Sequence, residues 1–505
     1  MEKKLDTKIV YNRRKYYKVL FWAGLFTFLY VFFTKIHPLV IYDSDDWSNI
    51  SYVRQAFPLW SDWNPCRVFP ETFMPILSYV AVYLVKPFVH DYILSMTVTH
   101  GAVISIAILV YLFVFYRWIQ AKFRATEAQA FVFTLAFLLF HFSILKVEWN
   151  DNSYLFFSDN VTCYFYYVLP NLINASIVLW FMGSKAGINE RWDNEHPLRK
   201  GGLILLVYLA ILSNLFQTII LIAYIGYDLL LGLIVYFKEK RKNILLFLKQ
   251  NLFSVASIML WLISLVFEFG GERSVDIASD SIQIKDSILA LIGYLPRLNR
   301  MTCLLFFISI IAAMIIWLRS KNKGEIDKRY ISTVIRSLVC AVTVAIFLVL
   351  LCGVSGSGYL ERADVSFGIF FYGFLFIMGS MLYVAQKYPR VILAVPLVLY
   401  IVLMNTMIGE RIYKESNMGS LNPQVCIAVN QDLIGQIVTA DQEGKTEMVL
   451  HVPVGNGKTE DNWPHANYMG YSIARTLYRH GMISKLIAIE VEPDPEMNKK
   501  YQVIY

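Results

Sequence analysis

Three carboxylates crowd one short run, Tyr42-Asp43-Ser44-Asp45-Asp46-Trp47. Acids this close repel one another, and a cation, a substrate or shifted pKa values must relieve them. A carboxylate partly withdrawn from water is a good general base, able to take the proton of an attacking hydroxyl. The structural alternative is a solvated acidic loop, or Asp43 capping a helix that starts near Ser44. Arg54, Asp62-Trp63, Arg67 and Glu71 follow directly. Arginine grips phosphate through paired N–H groups, so Arg67, Arg297, Arg300 and Arg362 are candidates for an anionic leaving group. The alternative for the last three is pairing with Glu361, Asp364 or Glu272. Trp149 and Asp151, in Glu148-Trp149-Asn150-Asp151, and the tyrosines 164, 166 and 167 offer aromatic faces for a sugar ring, though an interfacial aromatic belt has the same composition. Trp463, in Asn462-Trp463-Pro464-His465, offers another face toward an acceptor; a turn anchored by a buried Trp is the alternative. Asn214 and Gln217 mark a tight hairpin. Asp228 lies inside an apolar run, where an acid is a functional candidate or a hydrogen-bonding partner for a neighbouring helix.

These residues have to be positioned by membrane helices. Of 505 residues 57% are hydrophobic and 17% charged, and the mean hydropathy is +0.49, more apolar than a soluble domain needs for its core. Apolar runs long enough to span number about eleven: 16–36, 93–116, 129–147, 166–184, 202–218, 220–237, 252–268, 302–318, 332–353, 367–386 and 391–408. The stretch 72–89 carries Pro75, Lys86 and Pro87, and counting it as a span would put Arg117, Lys122 and Arg124 outside. It is therefore expected to lie in the outer interface as an amphipathic or re-entrant helix. With that choice the segments on the N-terminal side hold roughly threefold more Lys and Arg than the opposite loops, which makes that side cytoplasmic. The net charge of +8 belongs to this bias, and no nucleic-acid partner is implied. The first run has no small-residue cleavage site after it and reads as a retained span. Six cysteines show no metal-type spacing; Cys66, Cys163 and Cys426 fall on the oxidising side, where a disulfide is open.

From about residue 409 the character changes. Helices are expected at 425–443 and 467–481, and strands at 447–454 and 485–492, with charged residues frequent and no run long enough to span. The fold class is thus mainly α: a polytopic transmembrane bundle over 1–408, followed by a small extracytoplasmic α/β domain over 409–505.

The order of elements carries a resemblance. A retained first span, an acidic outer loop with Asp45-Asp46-Trp47, an Arg- and Pro-containing amphipathic helix at 67–89 and a span ending in Arg117-Trp118 resemble the membrane glycosyltransferases of the GT-C fold class. The layout is similar to the protein mannosyltransferase and aminoarabinose transferase branches, and closer to bacterial GtrII-like enzymes that decorate surface polysaccharides. The resemblance covers the chain to about residue 184 and implies a polyprenyl-phosphate sugar donor, a glycan acceptor on the outer face, and an Asp of the first outer loop as base. The first acid of the pair has that role in the family, which implies Asp45, with Asp46 and Asp43 as further candidates. A divalent cation such as Mg or Mn bridging acids and donor phosphate is left open. A lipid-linked polysaccharide polymerase or ligase is the alternative function. A transporter or flippase stands behind it: it would show paired half-repeats and charges at mid-bilayer, whereas here the acids crowd one outer loop and only Asp228 lies deep.

Overall fold

The computed structural model describes residues 2–58, 63–146, 154–184, 187–240, 243–269, 282–321, 323–395, 398–400, 421–455, 457 and 461–505. The molecule is mostly helical. Among the described residues nine helices are long and apolar enough to cross a membrane: Tyr16–Ile36, Val68–Val89, Tyr92–Phe123, Val161–Met182, Leu215–Lys238, Leu252–Phe269, Arg300–Arg319, Glu325–Ser355 and Ala363–Lys387. Two further expected spans form shorter helices, Glu127–Ser143 and Pro197–Ile211. The second stops early because Asn214 takes the N-cap of the next helix, accepting from the Phe216 amide, which moves the hairpin tip to 212–214. The run 391–408 lies largely outside the described residues.

Helix ends are set by local chemistry. Asp91 caps Tyr92–Phe123 through the Leu94 amide at 2.7 Å, and Arg124 closes that helix in the left-handed conformation. Thr126 and Gln129 then form a reciprocal capping box on the next helix. Close packing uses small residues: a Cβ on Gly101 would lie 2.7 Å from the Phe33 carbonyl oxygen, so Tyr92–Phe123 approaches the first helix to backbone contact.

Ion pairs mark one end of the bundle. Lys18 meets Glu127, Arg124 meets Glu325, and Lys387 meets Asp327. The opposite end carries Asp43 and its neighbours, with an antiparallel bridge between Leu145 and Leu298. Helix Val68–Val89 is long enough to span, yet both its ends meet the Asp43 end. The Phe69 amide donates to the Leu212 carbonyl at 3.0 Å, and Tyr83 donates to the Arg479 carbonyl at 3.2 Å. It lies along that end with Leu84 and Phe88 exposed.

The C-terminal segment packs on the same end. Two strands, β1 (Glu447–Val452) and β2 (Ala488–Pro493), pair in parallel with Leu450 opposite Val491, and helix Met469–Arg479 connects them. Helices Pro423–Gln442 and Pro495–Tyr501 complete the unit. Its buried Cys426, Leu433, Leu450, Ile473 and Leu477 join the same apolar cluster as the bundle residues Ile41, Trp47 and Tyr92. The tail is therefore seated on the bundle through a shared core.

Candidate functional site

Asp43 begins the site by ending the chain's extended run. Its backbone is extended (φ −86°, ψ 172°), and its side chain accepts from the Asp46 amide at 2.9 Å, capping the short helix Ser44–Asn49. The other carboxylate oxygen accepts from Asn160 at 2.7 Å. Asp46 points inward as well: it accepts from the Tyr42 amide at 3.0 Å and from the Thr162 amide and hydroxyl at 2.7 and 2.8 Å. Both side chains are fully buried. Burial, with the neighbouring acids adding to it, pushes the Asp43 carboxyl well above its usual range. Burial also pushes Asp46 up to about 7, against the pull of its hydrogen bonds. The two acids knot the first loop to the segment before helix Val161–Met182. This corrects the expectation that either serves as an accessible base: the capping alternative is what Asp43 does, and Asp46 accepts from two backbone amides and a hydroxyl of the protein itself.

Asp45 is different. A turn of 100° per residue carries it off the face that Asp46 shares with Asp43 three residues earlier, and there it is exposed and lines a cavity of about 400 Å³. Tyr468 of the tail donates to one of its oxygens at 2.9 Å. Burial and the Asp45 charge hold that phenol protonated, so the donor persists.

Two expected arginines share the cavity. Arg67 pairs with Glu268 at 2.9 Å. It adopts the left-handed region (φ 57°, ψ 24°) at the start of helix Val68–Val89, a conformation that costs a non-glycine residue about 1–3 kcal/mol. Arg362 grips Asp364 through two nitrogens at 3.1 and 2.7 Å, reaches Asp159 at 3.4 Å and stacks 4.5 Å over Tyr167. The pairing alternative thus holds for Arg362 while its guanidinium still faces the cavity. Around them Tyr166 donates to Glu71 at 2.9 Å, and Glu71 holds Arg54. One wall is apolar, built from Leu215, Phe216, Phe269, Leu351 and Val354.

Other expected residues fall elsewhere. Arg297 donates to the Glu361 carbonyl and packs over Tyr294; Arg300 is exposed at the start of its helix. Neither lines the cavity: Arg297 is turned with Glu361 into a separate hollow beside Asp286, and helix Arg300–Arg319 packs against Glu127–Ser143 and Ala363–Lys387. The structure therefore does not bring Arg297 or Arg300 together with Asp45, Arg67 and Arg362. Trp149 and Asp151 lie outside the described residues. Trp463 is half-buried in the turn at 461–466 and does not line the cavity. Of the tyrosines 164, 166 and 167, the last two face the cavity; Tyr164 turns inward to His37 at 3.1 Å. Asp228 accepts from the Ile188 amide at 3.1 Å and lies 3.7 Å from Arg336, a helix-tying role away from the cavity. The cysteines are free thiols. Among the described residues no three His, Cys, Asp or Glu side chains come together as metal ligands.

Sequence reasoning missed Tyr468 and Glu268. Tyr468 lies 423 residues from Asp45, and nothing local to either residue signals the meeting. Comparison with known proteins adds no further name: no family model, curated protein or solved structure matches the chain.

Proposed function

We propose that the chain is a membrane glycosyltransferase that moves a sugar from a polyprenyl-phosphate donor to a glycan acceptor on the outer side of a cell membrane. The observation that carries this reading is the amphipathic cavity at the end of the bundle, with one exposed carboxylate, two arginines and an apolar wall. A general base, an anion site and room for a lipid-linked group are what such a transfer requires. Asp45 takes the proton of the acceptor hydroxyl as its oxygen forms a bond to the anomeric carbon. The bond from that carbon to the phosphate oxygen breaks, and the electron pair leaves with the lipid phosphate. Arg67 and Arg362 offer the donors that stabilise the departing anion, each retaining N–H groups beyond those given to its acid partner. The apolar wall suits the first units of the prenyl chain. Attack from the side opposite the phosphate inverts the anomeric centre.

Removing a general base costs about 10²–10⁴-fold in rate, and the carboxamide keeps the shape of the acid. Asp45→Asn is expected to insert and fold normally and to lose most transfer from a radiolabelled polyprenyl-phosphate sugar. Near-normal transfer by the purified variant would defeat the assignment.

A further inference from the structure

The helix that delivers Tyr468 to Asp45 continues into the open. Tyr468, Tyr471, Arg475 and Arg479 recur at steps of three and four, so they share one face of helix Met469–Arg479. Tyr52, just beyond the acidic helix, lies against this face. The Arg475 guanidinium carbon is 5.7 Å from the centre of the Tyr52 ring and 5.3 Å from that of Tyr471, and Arg479 is 5.4 Å from Tyr52. Both guanidiniums are pinned from behind, Arg475 by the Ser48 carbonyl at 2.9 Å and Arg479 by the Ser51 carbonyl at 3.0 Å. The rings nevertheless stay open: Tyr52 is 54% and Tyr471 65% exposed. Rings that each carry a guanidinium over them and still stand more than half in solvent form a fixed aromatic surface, and its Tyr468 end meets Asp45 at the edge of the cavity.

We propose that this seam is a glycan-binding platform that leads an acceptor chain to Asp45. As an acceptor site it rests on the transferase reading above; as a glycan-binding surface it stands on its own geometry. A pyranose has an apolar C–H face that lies flat on a phenol ring, and an edge of hydroxyls or carboxylates that takes hydrogen bonds from guanidinium. The Tyr52–Arg475–Tyr471 sequence alternates those two surfaces. The arginines extend the specificity toward acidic sugars, because among the described residues neither is paired with an acid and their hydrogen bonds go to backbone carbonyls.

Binding is measured without turnover, so its result is separable from the fate of the transferase reading. Full-length protein in detergent is immobilised and titrated with maltohexaose, mannohexaose and a hexasaccharide containing alternating uronic acids. The uronic-acid chain is expected to bind most tightly. Tyr471→Ala and Tyr52→Ala are each expected to weaken it roughly tenfold, the size of one well-placed aromatic contact. Tyr471→Phe keeps the ring and is expected to bind as wild type. Failure of wild type to bind any of the three, or equal binding by the alanine variants, overturns the platform. Loss of phosphatidylglycerol-vesicle binding in those variants, with no hexasaccharide bound by wild type, would overturn it in favour of a lipid contact.

Discussion

Three adjacent acids divide their work by the direction each side chain takes. Asp43 and Asp46 lie on the buried side of the short helix and accept five hydrogen bonds between them; Asp45 faces the cavity. Asp46→Asn turns an acceptor toward amide donors or forces an NH₂ against them. Each orphaned buried donor costs about 1–3 kcal/mol. The variant is expected to lower the thermal midpoint in detergent more than Asp45→Asn does, and equal midpoints would count against the buried knot. Tyr468 acts on Asp45 as a positioning residue. Its hydrogen bond fixes the direction of one carboxylate oxygen, so Tyr468→Phe is expected to lower kcat about tenfold while leaving the KM for the donor near the wild-type value. An unchanged kcat, with Asp45→Asn inactive, would leave the phenol without that role.

At the scale of elements, the acidic helix is held from above by the tail. Ser44 donates to the Pro464 carbonyl at 2.8 Å and accepts from the Ala466 amide at 2.8 Å; Ser48 meets Ser472 and Ser51 meets Thr476. Two histidines are sealed into this joint. His465 lies edge-on to Tyr42, and burial holds it down to about 3. His480 meets the Tyr92 hydroxyl at 2.7 Å and faces Tyr79 and Lys86, and burial holds it down to about 4. A depressed histidine stabilises the joint fully above its ordinary value near 6.5, and the contribution is lost as pH falls toward the folded value. Asp46 works the other way: its raised carboxyl favours the joint at low pH and weakens that support as pH rises toward 7. Acid-promoted hydrogen exchange in residues 469–479 is therefore expected to start below about pH 6.5 and to diminish in His480→Gln. Identical exchange in variant and wild type would remove His480 from the joint.

For the whole molecule, orientation follows from the pairing of ends. The helix ends with Lys18, Arg124 and Lys387 share one side, and the tail shares the other with Asp43. Basic flanks stay in the cytoplasm, so the tail is expected outside. A cysteine at the exposed position of Gln442 should react with a membrane-impermeant maleimide on intact cells. Reaction only after lysis would reverse the orientation.

Length and apolarity alone reveal a membrane bundle, because a span must satisfy its backbone within one helix and shows as a continuous run. The βαβ pattern of the tail and the placement of the acids just after the first helix are equally local signals. Which acid faces the cavity is not a local property. It depends on helix phase, on Asn160 and Thr162 claiming the inner pair, and on a tyrosine delivered from the far end of the chain. The same holds for the arginines, whose loop positions are alike in composition. Arg67 and Arg362 meet at the cavity, and Arg297 and Arg300 do not, because helix packing assigns each loop to a side of the bundle that no short stretch of sequence records.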